Sequence, residues 1–462
     1  MTDRSGHSQI IRSKMQAAGQ GGAAIEAFLR SCEVFRSGDT GMIPEDRIVA
    51  VDDLLRWEEL PDLVDPSLLA RAAVVKLNGG LGTSMGLDKA KSLLPVKNGA
   101  NFLDLTLRQL AHLATGTGTA PCFILLNSFS TSADTRAHLA AHPVAGAPEP
   151  WEMIQSQVPK LNAATAAPVA WPDQPDLEWC PPGHGDIYPT LFHSGLIEKL
   201  EARGIQTLFF SNSDNLGAVL DPRILTWFVR GKLPFLMEVA ERTPSDRKGG
   251  HLARRREDGA LILRESAQCP SSDESAFQDI KRHRFFNTNN LWISLPVLKE
   301  ALTRSGGFLP LPLIVNRKTV DPRNKQSTPV VQLETAMGAA IGFFPGAAAL
   351  VVPRSRFAPV KTTSDLLVVR SDAYALSPAH TLAARSQPVV RLDDRFYKNM
   401  ADFEARFPDG PPSLVGCRSL TVQGDWTFSS GVVCQGEVDL RTESPRSLPA
   451  GEVTGVLGQS AC

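Results

Sequence analysis

A glycine-rich segment is the part of this sequence with the clearest chemical potential. It runs from Leu77 to Gly86, reads LNGGLGTSMG, and follows directly on a short apolar run. Gly79, Gly80 and Gly82 let backbone N–H groups approach a polyphosphate closely and form an anion-binding concavity. The spacing is not that of a Walker A loop, and Gly86 comes one residue too late for a dinucleotide fingerprint. On spacing alone, a glycine-rich turn without a ligand explains the segment equally well.

Two lysines, Lys89 and Lys91, follow the glycine segment. A lysine in this place can bind phosphate oxygens as a point charge. Either residue can also be a solvated surface lysine. Only the family resemblance described below distinguishes Lys91 from Lys89.

Asp214 ends the run LFFSNSD and therefore lies at the carboxyl end of a candidate strand, where open α/β sheets bind their ligands. Mg²⁺ is typically held by one or two carboxylates plus substrate phosphates, so a single aspartate is sufficient. An aspartate that caps a turn is the alternative.

Lys361 lies far from the glycine segment in sequence, and a second lysine at a transferring phosphorus would stabilise a highly charged transition state. A solvated lysine explains Lys361 equally well without further context.

Other candidates for chemistry are weaker. His138 and His142 have an i,i+4 spacing, but the glutamate of an HExxH motif is absent, and a surface helix explains the pair better. No serine or cysteine lies in a GxSxG elbow, which argues against covalent hydrolytic catalysis. The sequence therefore favours chemistry on a polyphosphate over hydrolysis or zinc chemistry.

The elements that must position these residues alternate between strands and helices. Ala72 to Val75, Phe123 to Leu126, Thr207 to Phe210 and Phe235 to Val239 are candidate buried strands, and Pro222 to Arg230 is a candidate crossover helix. This alternation predicts an α/β fold with a mostly parallel nucleotide-binding sheet flanked by helices. We place a helical extension at residues 1–45 and the catalytic domain at residues 46–385.

The sequence from residue 386 to 462 has a different pattern. The segments 422–428 and 434–440 correspond at an offset of 12 residues, and the triplet GEV recurs at 436–438 and 451–453. Such repetition of short β units predicts a small C-terminal β-solenoid. A two-stranded hairpin would look similar over so short a stretch.

Composition limits the class of protein. The 462 residues carry a formal charge of −1, which gives no basic field to attract nucleic acid or anionic lipid. The seven cysteines are scattered without a CxxC pair, and we interpret them as reduced thiols. Because no apolar run reaches the length of a membrane span and the N-terminus lacks the apolar core of a signal peptide, we expect a soluble cytoplasmic protein. The oligomeric state stays open.

Together the segments resemble the eukaryotic-type UTP–glucose-1-phosphate uridylyltransferases, also called UDP-glucose pyrophosphorylases. The resemblance extends over most of residues 74–372 in the order of that family. The matching segments are 76–86 (KLNGGLGTSMG), 91–96 (KSLLPV), 98–105, 155–161 (QSQVPKL), 179–191 (WCPPGHGDIYPTL), 211–218 (SNSDNLGA), 248–250, 286–293 (FNTNNLWI), 332–341 and 352–369.

The resemblance implies a role for each matching residue. It implies that Gln155 reads the uracil edge and that Mg²⁺ binds Asp214 as the cofactor. It assigns catalysis to Lys91 and Lys361. It assigns UTP binding to Leu77, Gly79, Gly80, Leu81, Gly82, Gln155 and Gly183, and sugar-phosphate binding to His184, Asn212, Gly250, Glu265 and Asn289.

The implied reaction joins UTP and glucose 1-phosphate into UDP-glucose and pyrophosphate by direct attack on the α-phosphorus. Two departures from the family pattern bear on it. Asp88 adds negative charge near the triphosphate, whereas Thr83 to Gly86 lack the arginine of the related UDP-N-acetylhexosamine enzymes, which favours glucose 1-phosphate. A uridylyltransferase for another sugar 1-phosphate is one alternative, and a catalytically silent nucleotide-sugar sensor is another. The presence of both lysines with Asp214 argues against the sensor.

Overall fold

The computed structural model describes residues 4–458. The ends of the predicted first and third domains, including Cys462, lie outside these residues. The helices are α1 (Arg4–Ala17), α2 (Gly22–Arg36), α3 (Phe102–Thr115), α4 (Ser132–Ala141), α5 (Ile187–His193), α6 (Leu196–Ala202), α7 (Pro222–Arg230), α8 (Glu274–Phe277), α9 (Leu295–Arg304), α10 (Thr363–Arg370), α11 (Asp394–Tyr397) and α12 (Met400–Arg406).

The strands complete the order of elements. The first fourteen are β1 (Ile48–Ala50), β2 (Ala72–Asn78), β3 (Pro95–Lys97), β4 (Ala100–Asn101), β5 (Cys122–Asn127), β6 (Trp151–Ile154), β7 (Val158–Pro159), β8 (Leu161–Asn162), β9 (Trp179–Cys180), β10 (Thr207–Asn212), β11 (Phe235–Glu241), β12 (His251–Arg255), β13 (Leu261–Arg264) and β14 (Phe285–Ser294). The others are β15 (Leu313–Thr319), β16 (Pro329–Thr335), β17 (Ala348–Val351), β18 (Tyr374–Leu376), β19 (Leu382–Ala384), β20 (Val389–Leu392), β21 (Cys417–Gln423), β22 (Trp426–Phe428), β23 (Val432–Arg441), β24 (Arg446–Leu448) and β25 (Gly451–Leu457).

Ten strands form the central sheet, in which β1, β12, β14, β10, β2, β5 and β6 follow one another, while β11, β13 and β17 join beside this row. The strands predicted from the sequence are confirmed inside β2, β5, β10 and β11, and the predicted crossover helix is α7. Val74 and Phe209 pack on one face of the sheet, and Val75 and Phe210 pack on the other. These strands are apolar in continuous runs because helices and loops cover both faces.

The expectation of a mostly parallel sheet is wrong, because the sheet is mixed. Strands β10, β2, β5 and β6 pair in parallel, but β14 runs antiparallel between β10 and β11. The sequence of β14 alternates asparagines with other residues in its first half, and it contains a register shift opposite Glu238 and Val239. Such a polar strand does not show the apolar run that predicts a buried strand.

Up to residue 458, where the description ends, the strands from β20 onward pair only in parallel. Strands β20, β21, β23 and β25 form one sheet in that order, and β22 pairs with β24. A hairpin of the two repeated segments would need antiparallel pairing, so that alternative is excluded. The predicted domain boundaries at 45/46 and 385/386 stay predictions.

One hydrophobic core joins Met85 and Phe102 to Tyr397 and Phe428, so the C-terminal part packs against the region of the glycine segment.

Within residues 4–458, no helix is both long and apolar enough to cross a bilayer. The cysteines at positions 32, 122, 180, 269, 417 and 434 are free thiols.

Candidate functional site

A cavity of about 340 Å³ opens where parallel strands β2, β6 and β10 end at the same edge of the sheet. The residues that follow each strand converge there, as expected for ligand sites of open α/β sheets. The cavity is lined by Leu77, Gly79, Gly80, Lys91, Leu126, Gln155, Pro181, Gly183, His184, Asn212, Ser213 and Asp214. Nine of the residues predicted from the sequence therefore lie in one place, although they come from segments far apart in the chain.

The glycine loop follows β2 and is held mainly through its carbonyl oxygens. Lys91 N–H donates to Gly80 O at 3.0 Å, and Ser128 Oγ donates to Gly79 O at 3.0 Å. A Cβ on Gly79 would lie 2.9 Å from Gln155 Oε1, whereas a Cβ on Gly80 would meet nothing within 4 Å. Gly82 has a φ of +69°, a left-handed conformation that favours glycine. With the carbonyls engaged by the protein, this loop suits an anion that binds its N–H groups.

Lys91 and Asp214 form an ion pair across the cavity, with Nζ 2.7 Å from Oδ2. Their side chains are 14% and 19% exposed, so both are accessible from the cavity. Asp214 lies in the turn after β10, and its backbone carbonyl accepts a hydrogen bond from Val360 N–H at 3.2 Å. The described residues contain no cluster of three or more His, Cys, Asp or Glu side chains that would hold a metal by themselves. A divalent cation bound to Asp214 would therefore need phosphate oxygens as further ligands.

Gln155 follows β6, and its backbone N–H donates to Asn127 O at 2.7 Å. Its Nε2 donates to Gly183 O at 3.1 Å, which joins the two residues predicted to recognise the base. Gly183 has a φ of +82°, and a Cβ there would lie 2.5 Å from Thr335 O. A side chain at this position would displace the carbonyl that orients Gln155.

His184 is held as a neutral imidazole. Its Nδ1 accepts a hydrogen bond from Met337 N–H at 2.9 Å, and burial lowers the pKa of the side chain to about 4. The proton of the neutral ring is therefore on Nε2. This nitrogen can donate a hydrogen bond to an anionic oxygen without carrying a full charge.

The predicted sugar residues connect to the cavity through Asn212. Asn289 Nδ2 donates to Asn212 Oδ1 at 2.8 Å, and Asn289 has a φ of +63°, which is uncommon for a residue other than glycine. A Cβ on Gly250 would lie 2.4 Å from Glu265 Oε2, so these two residues are also neighbours. Burial raises the pKa of Glu265, and the positive charge of Lys361 opposes that shift. Lys361 is therefore close enough to Glu265 for their charges to interact.

The cavity lining does not include every predicted residue of the described chain. The predicted residues outside it are Leu81, Gly82, Gly250, Glu265, Asn289 and Lys361. Gly82 still packs against Lys91, because a Cβ there would lie 3.3 Å from Lys91 Cγ. The side chain of Lys361 is exposed, and its neighbour Val360 is bonded to Asp214.

Three buried polar residues behind the cavity were missed by sequence reasoning. Lys76 Nζ donates to Ala218 O at 2.8 Å, and Arg356 forms a salt bridge of 2.6 Å with Glu238. Burial, together with the charge of Arg356, lowers the pKa of Lys76 to about 7, while Asp214 and Glu238 oppose the shift. A charged residue within each of the apolar runs AAVVKL and FLMEV is the signal that could have indicated Lys76 and Glu238.

Comparison with known proteins gives consistent results. The family model described as UTP–glucose-1-phosphate uridylyltransferase matches residues 26–435. The UTP–glucose-1-phosphate uridylyltransferase of Encephalitozoon cuniculi is 37% identical over 421 residues, which cover 89% of this chain and 81% of that protein. The protein of the same name from Hordeum vulgare is 39% identical over 409 residues, covering 87% and 84%.

Solved structures resemble the chain over nearly its whole length. The UDP-glucose pyrophosphorylase of Leishmania major has a TM-score of 0.91 and 45% identity, covering 98% of this chain and 99% of that one. A mutant of the Leishmania protein was solved in complex with UDP-glucose and has the same TM-score and identity, again covering 98% and 99%. The UDP-glucose phosphorylase of Trypanosoma brucei has a TM-score of 0.89 and 44% identity, covering 98% and 100%.

Proposed function

The chain belongs to the UTP–glucose-1-phosphate uridylyltransferase family, and we propose a division of roles among its residues for that reaction. As a nucleotidyltransferase of this family it forms UDP-glucose and pyrophosphate from UTP and glucose 1-phosphate. The observation that carries the assignment of roles is the Lys91–Asp214 ion pair, which lies beside the glycine loop in the cavity at the sheet edge.

The reaction needs no protein nucleophile. An oxygen of the sugar phosphate attacks the α-phosphorus of UTP, the bond from that phosphorus to the bridging oxygen breaks, and pyrophosphate leaves with the electron pair. Catalysis then consists of positioning and of stabilising negative charge. The glycine loop and Lys91 hold the triphosphate, and Lys361 stabilises the charge that grows at the α-phosphate.

Mg²⁺ is the metal that we propose for Asp214. The pairing of Lys91 with Asp214 supports this choice, because each partner lies where a group of opposite charge is already favoured. Asp214 would hold the cation, and Lys91 would bind a phosphate of the substrate. The cation would supply positive charge that neutralises part of the charge of the triphosphate.

Substrate recognition divides between two groups of side chains. Gln155, oriented by the Gly183 carbonyl, offers an amide that can pair with the uracil edge. His184 donates from Nε2 to the sugar phosphate, because Met337 N–H occupies Nδ1. The bonded pair Asn212 and Asn289, with Gly250 and Glu265, presents hydrogen-bonding groups to the glucose hydroxyls.

Two broader features also remain proposals. The parallel sheet of β20, β21, β23 and β25, which lies within the described residues, supports the predicted assignment of residues 386–462 to a small β-solenoid domain. The free thiols of the six cysteines within residues 4–458 support a reducing, cytoplasmic location for the enzyme.

A pyrophosphate-release assay tests the function directly. The purified chain would be supplied with UTP, CTP or ATP, each combined with glucose, galactose or N-acetylglucosamine 1-phosphate. We expect the highest kcat/KM for UTP with glucose 1-phosphate. A preference for another sugar phosphate, or the absence of release with every pair, would overturn the assignment.

A further inference from the structure

Two catalytic segments that are distant in sequence lie side by side in the structure. One is the Asp214 turn, residues 213–218, and the other is the Lys361 segment, residues 356–361. Val360 N–H donates to Asp214 O at 3.2 Å, and Asn215 and Pro359 form an isolated antiparallel bridge. The backbones of the two segments therefore run alongside each other next to the cavity.

The side chain of Asn215 joins the two segments. It is 1% exposed, although it directly follows Asp214. Its Oδ1 accepts from Gly217 N–H at 3.1 Å and from Ala358 N–H at 3.0 Å, and its Nδ2 donates to Arg356 O at 3.1 Å. One buried amide thus makes three bonds to backbone groups, two of which belong to the Lys361 segment.

The Asp214 turn has anchors that do not depend on Asn215. Lys76 Nζ bonds to Ala218 O at 2.8 Å, and Lys91 pairs with Asp214 at 2.7 Å. The turn also follows directly from the central strand β10. The part of the Lys361 segment from residue 357 to 361 is bonded to Asn215 and Asp214 on one side and, through Lys361 N–H, to Asp365 Oδ2 at 2.9 Å on the other. Loss of Asn215 should therefore loosen this segment relative to the Asp214 turn, while Lys76, Lys91 and β10 still hold the turn.

Resting on the roles proposed above for Asp214 and Lys361, we infer that Asn215 is a positioning residue that holds the Lys361 ammonium in register with the Asp214 carboxylate. Asn215 is buried under the turn and bonds to backbone, so its effect on the reaction passes through Lys361. Asn215 constrains the position of Lys361, and misplacement of a catalytic group by about 1 Å can lower the rate by about 10²-fold.

A double-mutant cycle distinguishes positioning from general support of the fold. We expect Asn215→Ala to lower kcat by about 10- to 100-fold with little change in KM for UTP. In a Lys361→Ala background the same substitution should lower kcat by no more than about threefold, because the group it positions is already gone. A full multiplicative loss in the double variant would overturn the inference. If Lys361→Ala alone left kcat unchanged, the role proposed for Lys361 would fail instead.

Asn101→Ala is a matched control. Asn101 is also a buried asparagine, and its side chain accepts from Asp104 N–H at 2.8 Å at the start of α3. We expect this variant to lower the melting temperature while kcat stays within about twofold, since loss of a helix cap affects stability. An equal loss of kcat in Asn101→Ala would show that loosening of the fold explains the effect.

Asn215→Asp provides a second variant in case the alanine variant does not fold. It keeps the volume and the acceptor for Gly217 and Ala358, but its second oxygen faces Arg356 O without a proton. The bond to Arg356 O is therefore lost while the packing is kept. We expect kcat of Asn215→Asp to fall by about 10-fold with KM for UTP nearly unchanged, and the same substitution to cost no more than about threefold in a Lys361→Ala background. A folded Asn215→Asp variant with the kcat of the wild type would contradict the inference.

Discussion

The two regions that meet at the cavity are built in different ways. On the nucleotide side, which comprises residues 79–82 with Gln155, the protein presents backbone, and Gly80 leaves open space where a side chain would be. On the charge side, which comprises residues 213–218 and 356–361, Asn215 and the Arg356–Glu238 pair are buried and bonded in several directions. On the nucleotide side, glycines leave room for a ligand. On the charge side, buried side chains fix the position of the backbone.

This difference corresponds to two requirements of the reaction, binding of the triphosphate and stabilisation of the transition state. A triphosphate is large and charged all along its length, so a loop of N–H groups without side chains accommodates it in the ground state. Charge that develops at one phosphorus needs groups that are already in place when the transition state forms. We therefore expect substitutions on the nucleotide side to raise KM and substitutions on the charge side to lower kcat.

The largest effect should come from Asp214. Asp214→Ala removes the only carboxylate in the cavity lining among the described residues, and we expect kcat to fall by about 10³-fold or more because a bound metal contributes several kcal/mol to charge stabilisation. Circular dichroism should stay near wild type. Asp258→Ala, at an exposed hairpin, serves as the control and should keep full activity. If the wild type kept its full turnover in excess EDTA, the proposed metal and the role proposed for Asp214 would both be wrong.

On the nucleotide side, Gly80→Ala should raise KM for UTP by about 10- to 100-fold through steric displacement of the phosphates. Apart from the two adjacent residues, the described part of the chain has no atom within 4 Å of the added methyl group, so the fold itself tolerates alanine. Gly116→Ala, whose methyl group also meets open space, is the matched control and should leave KM unchanged. Thermal unfolding and steady-state kinetics of both variants check this. An unchanged KM in Gly80→Ala would show that the loop does not contact the nucleotide.

Gln155 should have a smaller, selective effect. Gln155→Ala removes the amide that Gly183 orients, and the preference for UTP over CTP should fall by about tenfold or more. The neighbouring Gln157→Ala should keep the preference of the wild type. Competition between the two nucleotides at fixed glucose 1-phosphate gives the ratio. A ratio equal to that of the wild type would assign base recognition to other groups.

The smallest expected effect is a pH-dependent change in stability that comes from His184. Its pKa is about 4 in the folded protein and about 6.5 in an unfolded chain. Between these values only the unfolded state takes up the proton, so the free energy of unfolding should fall as the pH decreases from about 6.5 to about 4. His184→Gln should show a weaker decrease over the same range in urea titrations. An equal decrease in both proteins would mean that His184 titrates normally.

The sequence predicted local features well because their causes are local. The apolar runs of β2, β5 and β10, the glycines at 79 to 82 and the position of Asp214 at a strand end all follow from residue type and spacing. The antiparallel direction of β14 does not follow from its sequence. Its asparagines are typical of a loop, and the strand forms through its pairing with β10 and β11.

Contacts between distant segments could not be predicted from the sequence either. The bond between Lys91 and Asp214 joins residues 123 positions apart, and the bond between Asn215 and Ala358 joins residues 143 positions apart. Neither pairing has a signal in local spacing. The individual roles of the site residues stay predictions, whereas the convergence of nine of them at one edge of the sheet is observed.

The most direct test of the division between the two sides is the steady-state kinetics of Lys361→Ala beside those of Gly80→Ala. We expect Lys361→Ala to lower kcat by about 10²–10³-fold with KM for UTP nearly unchanged, since the ammonium is proposed to stabilise only the transition state. Lys361→Arg should recover little, because a planar guanidinium does not replace a compact charge. Gly80→Ala should show the reverse pattern, a raised KM with kcat maintained. A large rise in KM with unchanged kcat in Lys361→Ala would contradict the account.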